Sequence, residues 1–138
     1  WTTAGTSILF DDVDHDTAGN LSTVSSATRF TAPVDGRYLF CWNINAGNNS
    51  ASTETRYAHC QLRKNGAGYP INIGSLQSMV AVTDGWGAGN SYDAHPVSAI
   101  IELSKNDYIT IFIGTSSSSD YDGTVYGDAT FFSGCLLG

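Results

Sequence analysis

The first residues that could do chemistry are three aspartates at alternate positions near the start of the chain, Asp12, Asp14 and Asp16. Carboxylate oxygens are the ligands that a hard cation such as calcium prefers in proteins. The segment lacks the glycine and the terminal glutamate of an EF-hand loop, so it indicates either another kind of calcium site or a solvated acidic loop. Asp120 and Asp122 form a second, weaker pair of metal-ligand candidates.

The longest glycine-rich segment, residues 84–96, carries two large aromatic side chains among polar ones. Aromatic rings beside carboxylate, amide and imidazole groups suit the recognition of sugars or proteins. The same rings would also serve to cover the core or to contact another subunit, and both interpretations stay open. A similar but weaker loop is predicted over residues 116–128. The candidate ligand-binding residues of both segments are Asp84, Trp86, Asn90, Tyr92, Asp93, His95, Tyr121 and Tyr126.

Motifs for catalysis are missing from the sequence. It contains no nucleophile elbow, zinc-protease motif, P-loop or dinucleotide-binding motif. The three histidines lie far apart, and nothing marks the two glutamates, Glu54 and Glu102, as the matched pair that a glycosidase needs. The sequence therefore predicts a protein that is not an enzyme and needs no cofactor, calcium aside.

Three cysteines, Cys41, Cys60 and Cys135, leave at least one thiol unpaired within the chain. Free cysteines are usually small buried residues, and this interpretation is favoured for all three. Cys60 alternates with Ala58 and Leu62, which predicts that its thiol faces the core. No spacing typical of a zinc site occurs.

The charge balance excludes several partners. Thirteen acidic and six basic residues give a net charge of −7, and so few scattered cations cannot hold a polyanion. Nucleic acid is therefore a poor candidate, and so is insertion into a membrane, because the longest apolar run is far short of about 18 residues. Only 14% of the residues are charged, and Gly, Ser, Thr and Asn fill the polar positions, which is typical of β-rich extracellular or virion-surface proteins.

Short alternating apolar runs, separated by turn residues, predict a single all-β domain over residues 1–138, either a sandwich or a barrel. Asn65-Gly66 indicates a tight hairpin turn, and Lys105-Asn106-Asp107 a second turn. Because the chain starts at Trp1 without Met, we expect it to be a piece of a longer protein. The predicted strands cover residues 7–11, 21–24, 28–32, 37–46, 55–64, 69–74, 78–82, 97–104, 108–114 and 129–137.

The last predicted strand is apolar on both faces, whereas a strand in a two-layer sandwich should be polar on its outer face. Two apolar faces indicate a second burial partner, and another subunit is the simplest choice. The residues assigned to the core or to a subunit contact are Tyr38, Phe40, Trp42, Phe131, Phe132, Leu136 and Leu137.

Four segments, in order and in spacing, resemble the signature of the C1q-like head domain, a trimeric jelly roll related in shape to tumour necrosis factor. They run from Arg29 to Phe40, from Leu62 to Gly66, from Leu103 to Ile109 and from Phe131 to Leu137. The resemblance spans about residues 7–138. Two positions depart from the family pattern: Cys135 replaces a usual aromatic residue, and Asn106 replaces a common glycine.

The resemblance implies an all-β, two-sheet antiparallel jelly-roll sandwich that assembles as a homotrimer. Strands 37–46, 97–104 and 129–137 would share the sheet that packs around the threefold axis. Cys41 and Cys135 would lie on neighbouring strands of that sheet, where a bridge depends on their geometry. Because some family members bind calcium, the resemblance also allows calcium at a loop or trimer position.

For function, the resemblance implies a trimeric recognition head at the end of a longer fibrous or collagen-like stalk, binding a surface glycan or protein outside the cell or on a virion. One setting is the tip of a phage or bacterial fibre. The other is a secreted animal protein of complement-like or lectin-like type. The low lysine content, the polar loops and the lack of an even cysteine framework favour the first. A purely structural trimerisation cap is the third interpretation.

Overall fold

The described part of the chain consists of strands, turns and irregular segments. The structure, a computed structural model, describes residues 6–24, 27–48, 56–68, 77–82, 91–115 and 123–138, and these ranges contain no helix. The strands in chain order are β1 (Thr6–Ser7), β2 (Leu21–Val24), β3 (Ala27–Thr31), β4 (Gly36–Asn48), β5 (Arg56–Lys64), β6 (Ala67–Gly68), β7 (Gln77–Val82), β8 (Ser91–Leu103), β9 (Tyr108–Thr115) and β10 (Gly123–Leu136).

The strands form two antiparallel sheets, as predicted. The large sheet has seven strands in the order β2-β3-β9-β5-β6, with β1 also paired to β9 and β7 to β5. The small sheet has three strands in the order β10-β4-β8. The predicted grouping of strands 37–46, 97–104 and 129–137 is therefore confirmed, because these segments lie in β4, β8 and β10.

The core lies between the sheets, because alternation along each strand gives each sheet one apolar inner face. Tyr38, Phe40 and Trp42 of β4 are 1% exposed or less, as predicted for core residues. Phe30 of the large sheet packs edge-on against two of these rings, with centroid separations of 5.6 Å to Tyr38 and 5.3 Å to Phe40. Aromatic packing across the gap thus joins the two sheets into one core.

Two linked turns fix one end of the large sheet. Asn65 and Gly66 have φ angles of 52° and 79°, the positive values that a type I′ hairpin turn requires, so the predicted hairpin is confirmed. Asp107, in the turn between β8 and β9, accepts a hydrogen bond from Asn65 Nδ2 at 2.8 Å and pairs with Lys64 Nζ at 2.7 Å. The hydrogen bond from Lys64 is the largest cause that lowers the pKa of Asp107 to about 2.

Two strands are longer than the sequence predicted. Residues 91–96 belong to β8 and residues 123–128 to β10, although both segments were predicted as loops. The reason is β4, whose last residue, Asn48, pairs with both Ser91 and Gly123. Pairing with β4 gives hydrogen-bonding partners to the backbone of residues 91–96 and 123–126, and composition alone does not reveal such pairing. The predicted strand at 69–74 lies outside the described residues.

Candidate functional site

The structure divides the predicted ligand-binding residues into two groups. Tyr92, Asp93 and His95 lie in β8 and Tyr126 lies in β10, so these four are strand residues and not loop residues. Tyr92 is paired with Gly47 of β4, and Tyr126 is paired with Asn45 on the other side of the same strand. The two tyrosines therefore flank one end of β4. The other candidates, which lie outside the described residues, are Asp84, Trp86, Asn90 and Tyr121.

The acidic segment before β2 is built around a turn. The side-chain oxygens of Asp16 accept the backbone N–H groups of Leu21 at 2.9 Å and Asn20 at 3.0 Å, and these hydrogen bonds lower the pKa of Asp16. Asp12 and Asp14 are exposed. Within the described ranges, no group of three His, Cys, Asp or Glu side chains could hold a metal ion. The metal-ligand candidates outside those ranges are Asp120 and Asp122.

The outer face of the small sheet is uncharged over three consecutive rows that cross β8, β4 and β10. We call these rows the apolar face; they are Ile100–Leu39–Cys135, Ser98–Cys41–Ser133 and Pro96–Asn43–Phe131. Ile100 is 61% exposed and Phe131 is 47% exposed. Large aliphatic and aromatic side chains thus lie open on a face where a two-layer sandwich usually carries polar residues.

The end of β10 confirms that this strand is apolar on both faces. Phe132 lies on the inner side, where its ring stacks on Phe40 with a centroid separation of 5.8 Å and an interplanar angle of 8°. Leu136 and Leu137 are about half exposed, as is Phe131. Within the single chain, Phe132 is partly buried against the core, and the other three apolar residues assigned here remain about half exposed.

The three cysteines have different environments. Cys60 is buried, and burial raises the pKa of its thiol to about 12, so its predicted core position is confirmed. Cys41 is half-buried and Cys135 is exposed, so the prediction of three buried cysteines is wrong for Cys135, which lies on the outer face of an edge strand. Cys41 is paired with Ser133, which makes Cys135 its diagonal neighbour. Diagonal Cα atoms are about 7–8 Å apart, beyond the usual disulfide range, and the structure accordingly has both thiols free.

The outer face of the large sheet carries two arginines that lie over aromatic rings. Arg63 Cζ is 3.2 Å from the ring centroid of Phe112, and Arg29 Cζ is 3.8 Å from that of Tyr108. Thr110 lies between the two rings along β9, and both Thr110 and Phe112 are 6% exposed. We call Arg29, Arg63, Tyr108, Thr110 and Phe112 the arginine face. Its alternating residues are visible in the sequence, but the adjacency of β3, β9 and β5 is not.

Comparison with known proteins supplies no identity. The sequence matches no model of a protein family and no curated protein. In the described ranges there is also no helix of the length and apolar character needed to cross a bilayer. The features that bear on function are therefore the outer faces of the two sheets and the four segments quoted above.

Proposed function

We propose that the protein is a non-enzymatic, trimeric recognition head with a C1q-like jelly-roll fold, which binds a glycan or protein on a surface. The observation that supports this best is the apolar face. Apolar side chains that are exposed together on one face of a sheet are typical of an interaction site. The face belongs to the sheet that the resemblance assigns to the threefold axis, so three copies of this chain are the occupant that we propose.

The assembly is tested by light scattering of the purified protein at micromolar concentration, which should give about three times the chain mass. Ile100→Asp should reduce the mass to that of one chain, because three buried, unpaired carboxylates would meet at the interface. Val34→Asp is the matched control, since Val34 is 47% exposed but lies in the turn before β4. A wild-type monomer, or a trimer that tolerates Ile100→Asp, would refute the proposed assembly.

Ligand binding is proposed to involve Trp86 and the other candidate residues of segments 84–96 and 116–128. The test is a glycan array on the wild-type trimer, followed by Trp86→Ala. If Trp86 contacts the ligand, binding should be lost while the melting temperature stays nearly unchanged. A loss of roughly 3–5 kcal/mol in the free energy of unfolding would instead identify Trp86 as a core residue.

The biological setting favoured here is the tip of a phage or bacterial fibre. A secreted animal complement-like or lectin-like protein is the alternative, and the sequence that precedes Trp1 separates the two: a phage anchor or a coiled coil favours the first, and Gly-X-Y repeats favour the second. A trimer that binds nothing on a broad glycan array or on the proteins of a target surface would favour the structural cap.

A further inference from the structure

Within the described ranges, the two arginines of the arginine face are not paired with carboxylates in the way that Lys64 is. No carboxylate of the described residues lies within ion-pair distance of Arg29 or Arg63, whereas Lys64 on the same sheet does have a carboxylate partner. Arg63 Nε donates to Gln61 Oε1 at 3.3 Å. Arg29 Nε is enclosed and has no acceptor among the described residues. An enclosed charged donor without an acceptor is costly, and such a group calls for an explanation.

The stacking geometry determines where an acceptor can approach. With Cζ only 3.2 Å and 3.8 Å from the ring centroids, each guanidinium lies against the face of its ring, so an acceptor must approach from a side that the ring does not cover. The stack also holds each cation in place, so less side-chain entropy is lost when an anion binds. Tyr108 and Phe112 are four residues apart on β9, which is about 13 Å along the strand, and one cation lies against each ring.

We propose that the arginine face binds an acidic oligosaccharide, a linear sugar chain that carries carboxylate or sulfate groups and lies along β9. Two fixed cations spaced along one strand suit a linear chain that carries several anionic groups along its length. Gln61, whose Oε1 accepts a hydrogen bond from Arg63 Nε, adds a polar group beside one of the cations. The inference rests on the proposed recognition function but not on the trimer, because β3, β5 and β9 of one chain carry the whole site.

Other anionic ligands fit this face less well. A nucleic acid needs a larger basic surface than a chain of net charge −7 with six basic residues can provide. An extended acidic peptide usually adds to a free sheet edge, and β9 and β5 are interior strands with partners on both sides. A hydrated, hydroxyl-rich chain with spaced charges needs neither an edge nor an apolar pocket.

The test measures binding of an oligogalacturonate and a sulfated dextran oligosaccharide by calorimetry at two salt concentrations. A neutral maltooligosaccharide of equal length and a polyglutamate peptide of equal charge serve as comparison ligands. We expect the acidic sugars to bind, more weakly at high salt. Arg29→Gln and Arg63→Gln should each raise the dissociation constant about tenfold or more, as the loss of a charge-assisted hydrogen bond does.

Arg37→Gln is the matched control, because it removes one exposed cation from the small sheet and should leave binding unchanged. Light scattering and melting curves on the same samples show whether a loss of binding comes from the site or from a loss of assembly or folding. Ile100→Asp should bind each oligosaccharide with the same affinity per chain as the wild type. Equal binding of the neutral sugar, equal binding of polyglutamate, an equal loss in Arg37→Gln, or no binding of the acidic sugars to folded protein would each overturn the proposal.

Discussion

The outer faces of the two sheets differ in how far their apolar side chains are covered by other residues of the chain. On the large sheet, the aromatic rings of Tyr108 and Phe112 are covered by arginines of the same chain. On the small sheet, Ile100 and Phe131 have no such cover among the described residues and remain about half or more exposed. The single chain thus covers the aromatic rings on the outer face of the large sheet and leaves apolar side chains on the outer face of the small sheet exposed. Apolar residues on a strand therefore do not by themselves mark an interface, because side chains of the same chain can cover them.

The largest effect on stability is expected from a substitution in β8, where two adjacent residues differ in burial. Ile101 is 1% exposed and Ile100 is 61% exposed, because successive side chains point to opposite faces. Ile101→Asp should lower the free energy of unfolding by more than about 4 kcal/mol, since the carboxylate would be buried without a partner. Ile100→Asp should leave the fold of one chain intact and affect assembly only. Denaturant melts with light scattering measure both, and equal stability losses would abolish the distinction between the faces.

Gly134 tests how tightly the inner side of β10 is packed. A Cβ atom at this position would lie 2.6 Å and 2.7 Å from carbons of the Phe40 ring, which itself stacks on Phe132. Gly134→Ala should therefore cost about 1–3 kcal/mol in the free energy of unfolding through overpacking. Ser133→Ala, next to it on the exposed outer face, should change stability by less than about 0.5 kcal/mol. Tolerance of Gly134→Ala would mean that β10 packs less closely on β4.

The linked turns of the large sheet should give a smaller, pH-dependent effect. The hydrogen bond from Lys64 lowers the pKa of Asp107 from 3.8 to about 2. A depressed folded-state pKa favours the native state above the unfolded pKa. This stabilisation should therefore be complete above pH of about 4 and be lost as the pH falls toward about 2. Thermal melts of wild type and Asp107→Asn should converge at low pH, and a constant difference between them would contradict the assignment.

Thiol labelling should distinguish the faces without changing stability. Cys60 should react slowly in every folded form, because burial raises its pKa to about 12 and leaves little thiolate. Cys135 is exposed on the single chain, so it should react quickly in the Ile100→Asp monomer and slowly in the assembled wild type. The measurement is mass spectrometry after timed alkylation. Rapid labelling of Cys135 in a confirmed trimer would place the interface elsewhere.

Local patterns in the sequence are enough to predict most of the strands, the hairpin turn at Asn65-Gly66 and most of the core. The predicted strand 7–11 is an exception, because only Ser7 of that segment lies in β1. These features follow from local rules: alternation of apolar residues assigns Tyr38, Phe40 and Trp42 to one face, and only certain residue pairs tolerate positive φ. The grouping of β4, β8 and β10 into one sheet came from the resemblance of four short segments, since pairing between distant strands leaves no mark in any one of them.

The contacts of each outer face depend on which strands are neighbours in the folded chain. Arg29 and Arg63 lie 34 positions apart in the sequence, and they share a face because β3, β9 and β5 are neighbours. The extension of β8 and β10 into the predicted loops likewise depends on the length of β4, whose backbone groups pair on both sides. Cys41 and Cys135 are diagonal neighbours because the register between β4 and β10 pairs Cys41 with Ser133. Each of these features arises from pairing between strands that are distant in the sequence. The free energy of such pairing depends on two or three segments at once, so no local pattern predicts it.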